Sequence, residues 1–177
     1  MSALEPDLEA ELAPLKLAVG DVVVHGAHGA GWVVARETRD VGGEVEVAVV
    51  LELSRGLSVR LPLGRAEQQL RPVATETELG HVQAILTADA APKRDSWIQR
   101  QRQARGKLGS VVGLAEILRD GADRGAKHPP GSRPSPTERE LVKRAHELLT
   151  TEIALSRGVE PAEASVWIDD QLTSPAP

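Results

Sequence analysis

Asp40-Val41-Gly42-Gly43-Glu44-Val45-Glu46-Val47-Ala48-Val49 contains a turn and the strand that leaves it. Glycine reaches positive φ without a Cβ clash, so Asp40-Val41-Gly42-Gly43 predicts a tight hairpin. From Glu44 onward polar and apolar residues alternate, as they do on a strand with one wet face. The pattern extends on both sides of the turn. Val22-Val23-Val24 and Gly31-Trp32-Val33-Val34-Ala35 are short apolar runs upstream. Downstream, Leu57, Val59, Leu61 and Leu63 alternate with Ser58 and Arg60 on the opposite face.

Short strands at this spacing, with no helix between them, predict a small Tudor/SH3-like β-barrel over residues 17–73. Beyond Pro72 the period becomes helical. Leu79, Val82, Ile85 and Leu86 share one helix face, and Asp95 or Ser96 is placed to cap a second helix running to about Leu108. Ser110 is placed to cap a third, burying Val111, Leu114, Ala115 and Leu118. Ser135-Pro136-Thr137-Glu138 has the form of a capping box with proline at the first helical position. The helix it opens carries Leu141, Val142, Ala145, Leu148, Leu149 and Ile153 on one stripe and ends near Gly158. Pro161 starts a last helix holding Trp167 and Ile168. Residues 125–136, with four prolines and two glycines, read as a loop. The expected class is α+β: a disordered acidic tail (1–16), a β domain (17–73), a helical domain (74–172) and a short disordered tail (173–177).

The formal charge is −5, but it is unevenly distributed. Residues 91–127 hold nine basic and four acidic groups, whereas residues 1–73 hold seven against eleven. Within the basic stretch, Lys93, Arg94, Arg100, Arg102, Arg105 and Lys107 surround Trp97 with only one acid, Asp95, among them. The chain has no Phe or Tyr and three Trp, so an indole in the strongest positive field is notable. A planar apolar wedge flanked by guanidinium groups suits a nucleic-acid groove. Trp97 also shares a helix face with Ala104 and Leu108, which leaves a core role open. Trp32 and Trp167 lie in apolar patterns and are expected in the core.

Other chemistries find little support. There is no cysteine, hence no disulfide or thiolate chemistry. No apolar run is long enough to span a membrane. His25 and His28 lie in a glycine-rich turn, with no further ligands at metal-binding spacing. Gly26-Ala27-His28-Gly29-Ala30-Gly31 lacks the Gly-Lys-Ser/Thr ending of a phosphate loop. No nucleophile stands in register with a histidine, so an enzyme is not expected, and neither is a cofactor.

The chain resembles the CarD-like (CarD/CdnL) bacterial transcription factors over about residues 17–172. The matching pieces are Val19-Gly20-Asp21, His28-Gly29, Glu37-Thr38-Arg39 and Val59-Arg60-Leu61-Pro62 in the first half. In the second they are Trp97 in its basic helix, Ala115-Glu116-Ile117-Leu118-Arg119-Asp120 and the long helix after Thr137. Each piece is short, and their order over two domains makes the match specific. The chain departs from the family at His25-Gly26, where many members have Tyr-Pro. It departs again at Gln99 and Gln101, where basic or aromatic residues are common, and in a longer loop before Pro136.

The resemblance implies a Tudor-like domain that binds the RNA polymerase β subunit, with Arg39 and Arg60 as polymerase-contacting residues. It further implies a helical domain that touches promoter DNA at the upstream edge of the bubble. There Trp97 would be the minor-groove wedge that stabilises the open complex. Arg100, Arg102 and Arg105 are assigned to phosphate contact, with Lys93, Arg94 and Lys107 at the rim. The protein is expected to be a cytoplasmic, nucleoid-associated monomer. Two other readings stay open: an adaptor whose basic helix docks an acidic partner without DNA, and an enzyme of unfamiliar type using His25 or His28.

Overall fold

The computed structural model describes residues 16–89, 99, 102–103, 106–127 and 133–174. The acidic tail before Lys16 and the site candidates Lys93, Arg94, Trp97, Arg100 and Arg105 lie outside the described residues. The architecture is α+β: a five-stranded antiparallel sheet, then a helical domain. The strands are β1 (Val22–His25), β2 (Gly29–Val41), β3 (Glu44–Leu53), β4 (Leu57–Pro62) and β5 (Leu70–Arg71). They lie in the order β4-β3-β2-β1-β5. The helices are α1 (Leu63–Gln69), α2 (Glu76–Thr87), α3 (Val111–Lys127), α4 (Pro136–Arg157) and α5 (Pro161–Thr173).

The hairpin forms as its sequence predicts. Gly42 and Gly43 take φ of 66° and 90°, and Asp40 Oδ1 accepts a 2.8 Å hydrogen bond from the Gly43 amide. The closed barrel does not form by hydrogen bonding, because no pairing joins β4 to β5 among the described residues. The reason is local. β4 runs straight into α1, an element the alternation through Leu63 concealed, and only a two-residue strand follows. α1 sets Ala66 into the core, where it is fully buried with Leu17, Val23, Val33, Val49 and Leu51.

Trp32 overturns its expectation of a core position. It is 46% exposed, while its neighbour Val33 is 1% exposed. Successive strand residues point to opposite faces, so only one of the two can enter a one-sided core. An apolar run on an open sheet is therefore not all core. Val34, also exposed, is the extra residue of a bulge that shifts the β2–β3 register between Val33 and Ala35.

The helical domain follows its pattern closely. Leu79, Val82, Leu86, Val111, Leu114, Ala115, Leu118, Ala145, Leu148, Leu149, Ile153 and Ile168 are buried in one cluster. Ile85, Leu141, Val142 and Trp167 pack against it half-buried. Of the predicted caps, Asp95 and Ser96 lie outside the described residues, and the other two form: Ser110 Oγ accepts from the Gly113 amide, and Ser135 with Glu138 closes a reciprocal capping box. Thr75 and Glu78 form a second box at the start of α2. Gly158 ends α4 in the left-handed region at φ 66°. α3 continues to Lys127, three residues into the expected loop, and α5 continues through Thr173.

Candidate functional site

The first surface to consider is the free edge of the sheet. Among the described residues β4 pairs with β3 on one side only, so its other side presents backbone groups of the kind that accept a strand from another chain. Arg60 sits on this strand, on the face opposite Val59 and Leu61, as the alternation predicts. It is less free than expected. Its guanidinium is half-buried and pairs with Glu37 of β2 at 2.6 Å. Arg39 is exposed near the hairpin, opposite Glu46 in the ladder. Trp32 and Glu52 are direct cross-strand partners on the outer face, followed by Ser58 on β4, so the exposed indole belongs to a continuous row reaching the edge.

The second surface is the basic segment, of which the structure describes only part. Residues 99, 102, 103, 106 and 107 are helical, and Arg102 is exposed. Lys107 is not a free rim cation: it forms an ion pair with Glu116 on α3. This partner lies nine residues on, across the bend that opens α3, beyond the reach of a helical-turn neighbour. Gly113 explains how the two segments approach so closely, since a Cβ there would lie 2.2 Å from the Lys107 carbonyl oxygen.

Between the two surfaces runs a seam that the sequence reading did not single out. Glu152, from the C-terminal third of α4, is 1% exposed. Arg71, at the end of β5, reaches it with both terminal nitrogens, at 2.5 Å and 2.8 Å. The same carboxylate accepts the Ala74 amide at 3.0 Å, in the segment joining sheet to helices. Ser156 Oγ donates to the Ala74 carbonyl at 2.6 Å, and Arg71 Nε donates to the Gly109 carbonyl at 3.0 Å. Farther along the seam, Arg55 pairs with Glu147, and Arg144 donates to the Ala27 carbonyl at 3.0 Å. Leu148 packs so near Gly29 that an added Cβ would lie 2.8 Å from it. One signal could have found Glu152: it is an acid inside an apolar stripe, between Leu149 and Ile153 on the buried face of α4.

The histidine turn is explained by its own hydrogen bonds. His25 Nδ1 accepts the Ala27 amide at 3.2 Å, and Nε2 lies 3.3 Å from Gln69 Oε1. Neutral imidazole protonated at Nε2 satisfies both contacts. Burial lowers the His25 pKa, against the Gln69 hydrogen bond, and nearby His28 lowers it further. Among the described residues, no three His, Asp or Glu side chains gather where a metal ion could be held. No helix among them is long and apolar enough to cross a membrane.

Residues 17–74 match the CarD-like/TRCF RID domain, and residues 81–169 match the CarD C-terminal domain. The chain belongs to the CarD-like family. The first match ends at Ala74, in the seam just described, and the two together take in nearly all of the described fold. A relative in Bacillus subtilis (strain 168), named "Putative transcription factor YdeB", is 26% identical over 145 residues, covering 80% of this chain and 92% of its own. The CarD-like family works in transcription, and its RID domain is an RNA polymerase-interacting domain.

Proposed function

We propose that this CarD-like protein is a non-enzymatic transcription factor that binds the RNA polymerase β subunit through its sheet and promoter DNA through its basic segment. In this role it stabilises the open complex. The observation that carries the reading is the ordered match of both domain types along one chain. The free β4 edge supports the polymerase half, since an edge strand with an arginine beside it offers backbone pairing and a carboxylate contact together. Arg60 would exchange Glu37 for a carboxylate of the partner, and Arg39 would contact the same partner from the hairpin.

In the DNA half, Trp97 would enter the minor groove at the upstream edge of the bubble. Arg100, Arg102 and Arg105 would hold phosphates, with Lys93 and Arg94 at the rim. Lys107 contributes there only by giving up Glu116. Unstacking a base step costs a few kcal/mol, and a duplex already opening at the bubble edge has supplied part of that cost. Wedging and phosphate contact read shape more than sequence, so the factor would act on many promoters.

The test measures polymerase affinity and open-complex half-life side by side. Trp97→Ala should shorten the half-life about tenfold, equivalent to about 1.4 kcal/mol, with polymerase affinity intact. Arg60→Glu should weaken polymerase binding and leave the affinity for a forked duplex unchanged. Loss of helical-domain folding in Trp97→Ala would return that indole to the core and remove the wedge.

A further inference from the structure

Resting on that function, we infer that Glu152 and Arg71 form an interdomain lock that holds the polymerase-binding sheet and the DNA-binding helices at one fixed angle. Stabilising the bubble depends on that angle as well as on the two surfaces. The geometry separates this pair from ordinary surface salt bridges. Arg71 closes the sheet at its β5 edge, Glu152 lies in the C-terminal third of α4, and Ala74 lies on the only covalent path between them. One carboxylate therefore ties all three to each other through a two-pronged guanidinium contact and a backbone amide. Such a fork fixes direction as well as distance.

The other ties across the seam are of a different kind. Arg55 is 63% exposed in its pair with Glu147, and exposed pairs of this type restrain little. Glu152 is 1% exposed in this arrangement, so its carboxylate is satisfied by Arg71 and the Ala74 amide. Ala74 is packed with the helical core, so rotation of the sheet would take Arg71 alone from the carboxylate and leave that charge uncompensated, which destabilises the neighbouring orientations. Rigidity of this kind serves a protein that must touch two targets at once. A second contact made by a rigidly linked domain is effectively intramolecular, and that advantage is lost when the linked surfaces point elsewhere. Glu152 and Arg71 touch neither target in this account, so they are positioning residues.

The chain has no cysteine, so a pair of engineered thiols reports on the angle without background. Spin labels at Glu46→Cys on the hairpin and Glu163→Cys on α5, both exposed positions, should give one narrow distance distribution in the full-length protein. Adding Glu152→Gln should broaden that distribution. In the unlabelled chain, the same change should shorten the open-complex half-life about tenfold, with polymerase affinity and forked-duplex affinity each within about threefold of the parent. A merely destabilised protein would lose all three in proportion. Arg71→Lys, which keeps the charge and removes the fork, provides the same comparison should Glu152→Gln fail to fold.

A narrow distribution in the folded variant would overturn the lock. A broad distribution with an unchanged half-life would overturn its role at the bubble. If the parent protein itself does not lengthen the half-life, the proposed function fails, and the lock is then decided by the distance distribution alone.

Discussion

Gly31 shows how tightly a single position can be determined. Its ladder partner is Leu53, and an added Cβ would lie 2.2 Å from the Glu52 carbonyl oxygen and 2.7 Å from Leu53 Cα. Both atoms are backbone of β3, so no rotamer change relieves the clash. The central β2–β3 ladder would have to part at the very point where Val33 and Leu51 enter the core. Gly31→Ala should therefore destabilise the sheet by about 3 kcal/mol, at the upper end of overpacking penalties. Gly42→Ala, with open space around its Cβ, should cost only the strain of its positive φ. Urea denaturation of both variants checks the contrast, and equal midpoints would refute it. The composition of the turn disclosed Gly42, whereas nothing in the sequence disclosed the close approach at Gly31. Trp32 is the converse case: its apolar neighbours suggested burial, and the period of the strand put the indole outside.

At the level of elements, most of the helical domain was legible because its signals are local. Ser135, Pro136 and Glu138 specify the start of α4 within four residues, and the structure joins them as expected. The Glu138 amide donates to Ser135 Oγ at 3.2 Å, and the Ser135 amide donates to the Glu138 carboxylate at 3.0 Å. Arg124 of α3 pairs with the same carboxylate, so the cap also ties two helices together. Burial opposes ionisation of Glu138, but the Ser135 amide and hydroxyl together with Arg124 outweigh it and hold the pKa below its ordinary 4.5. Ionised Glu138 thus stabilises the fold above pH 4.5, and that contribution is lost as the pH falls through the lower folded value. Ser135→Ala should cost about 1 kcal/mol at neutral pH, and Ser135→Asp should recover most of it. A shifted urea midpoint with an unchanged slope is the expected signature. α1 was not legible, because its seven residues bury only Ala66 and so carry no helical period. The closed barrel was over-read for the same reason, since strand spacing says nothing about whether the last edge is long enough to pair.

Across the whole molecule, charge is the property that sequence reveals best and structure refines. The chain is acidic at −5, yet its basic residues concentrate in residues 91–127, within the helical domain. Intramolecular pairing then subtracts from that field. Lys107 is taken by Glu116 and Arg124 by Glu138, leaving Arg102 as the exposed described cation of the segment. The seam itself was hidden because its ion pair joins residues 81 positions apart, beyond any local pattern. If Arg100, Arg102 and Arg105 each neutralise one phosphate, the affinity for a forked duplex should fall with salt at a logarithmic slope of about −2.7. Arg102→Gln should reduce that slope by about 0.9, whereas Lys107→Gln, which removes a charge already neutralised by Glu116, should change it far less. Titrations of the three proteins from low to moderate salt measure all of this. A slope near zero in the parent would mean that phosphates are not the counter-charge, and would turn the basic segment toward an acidic protein partner.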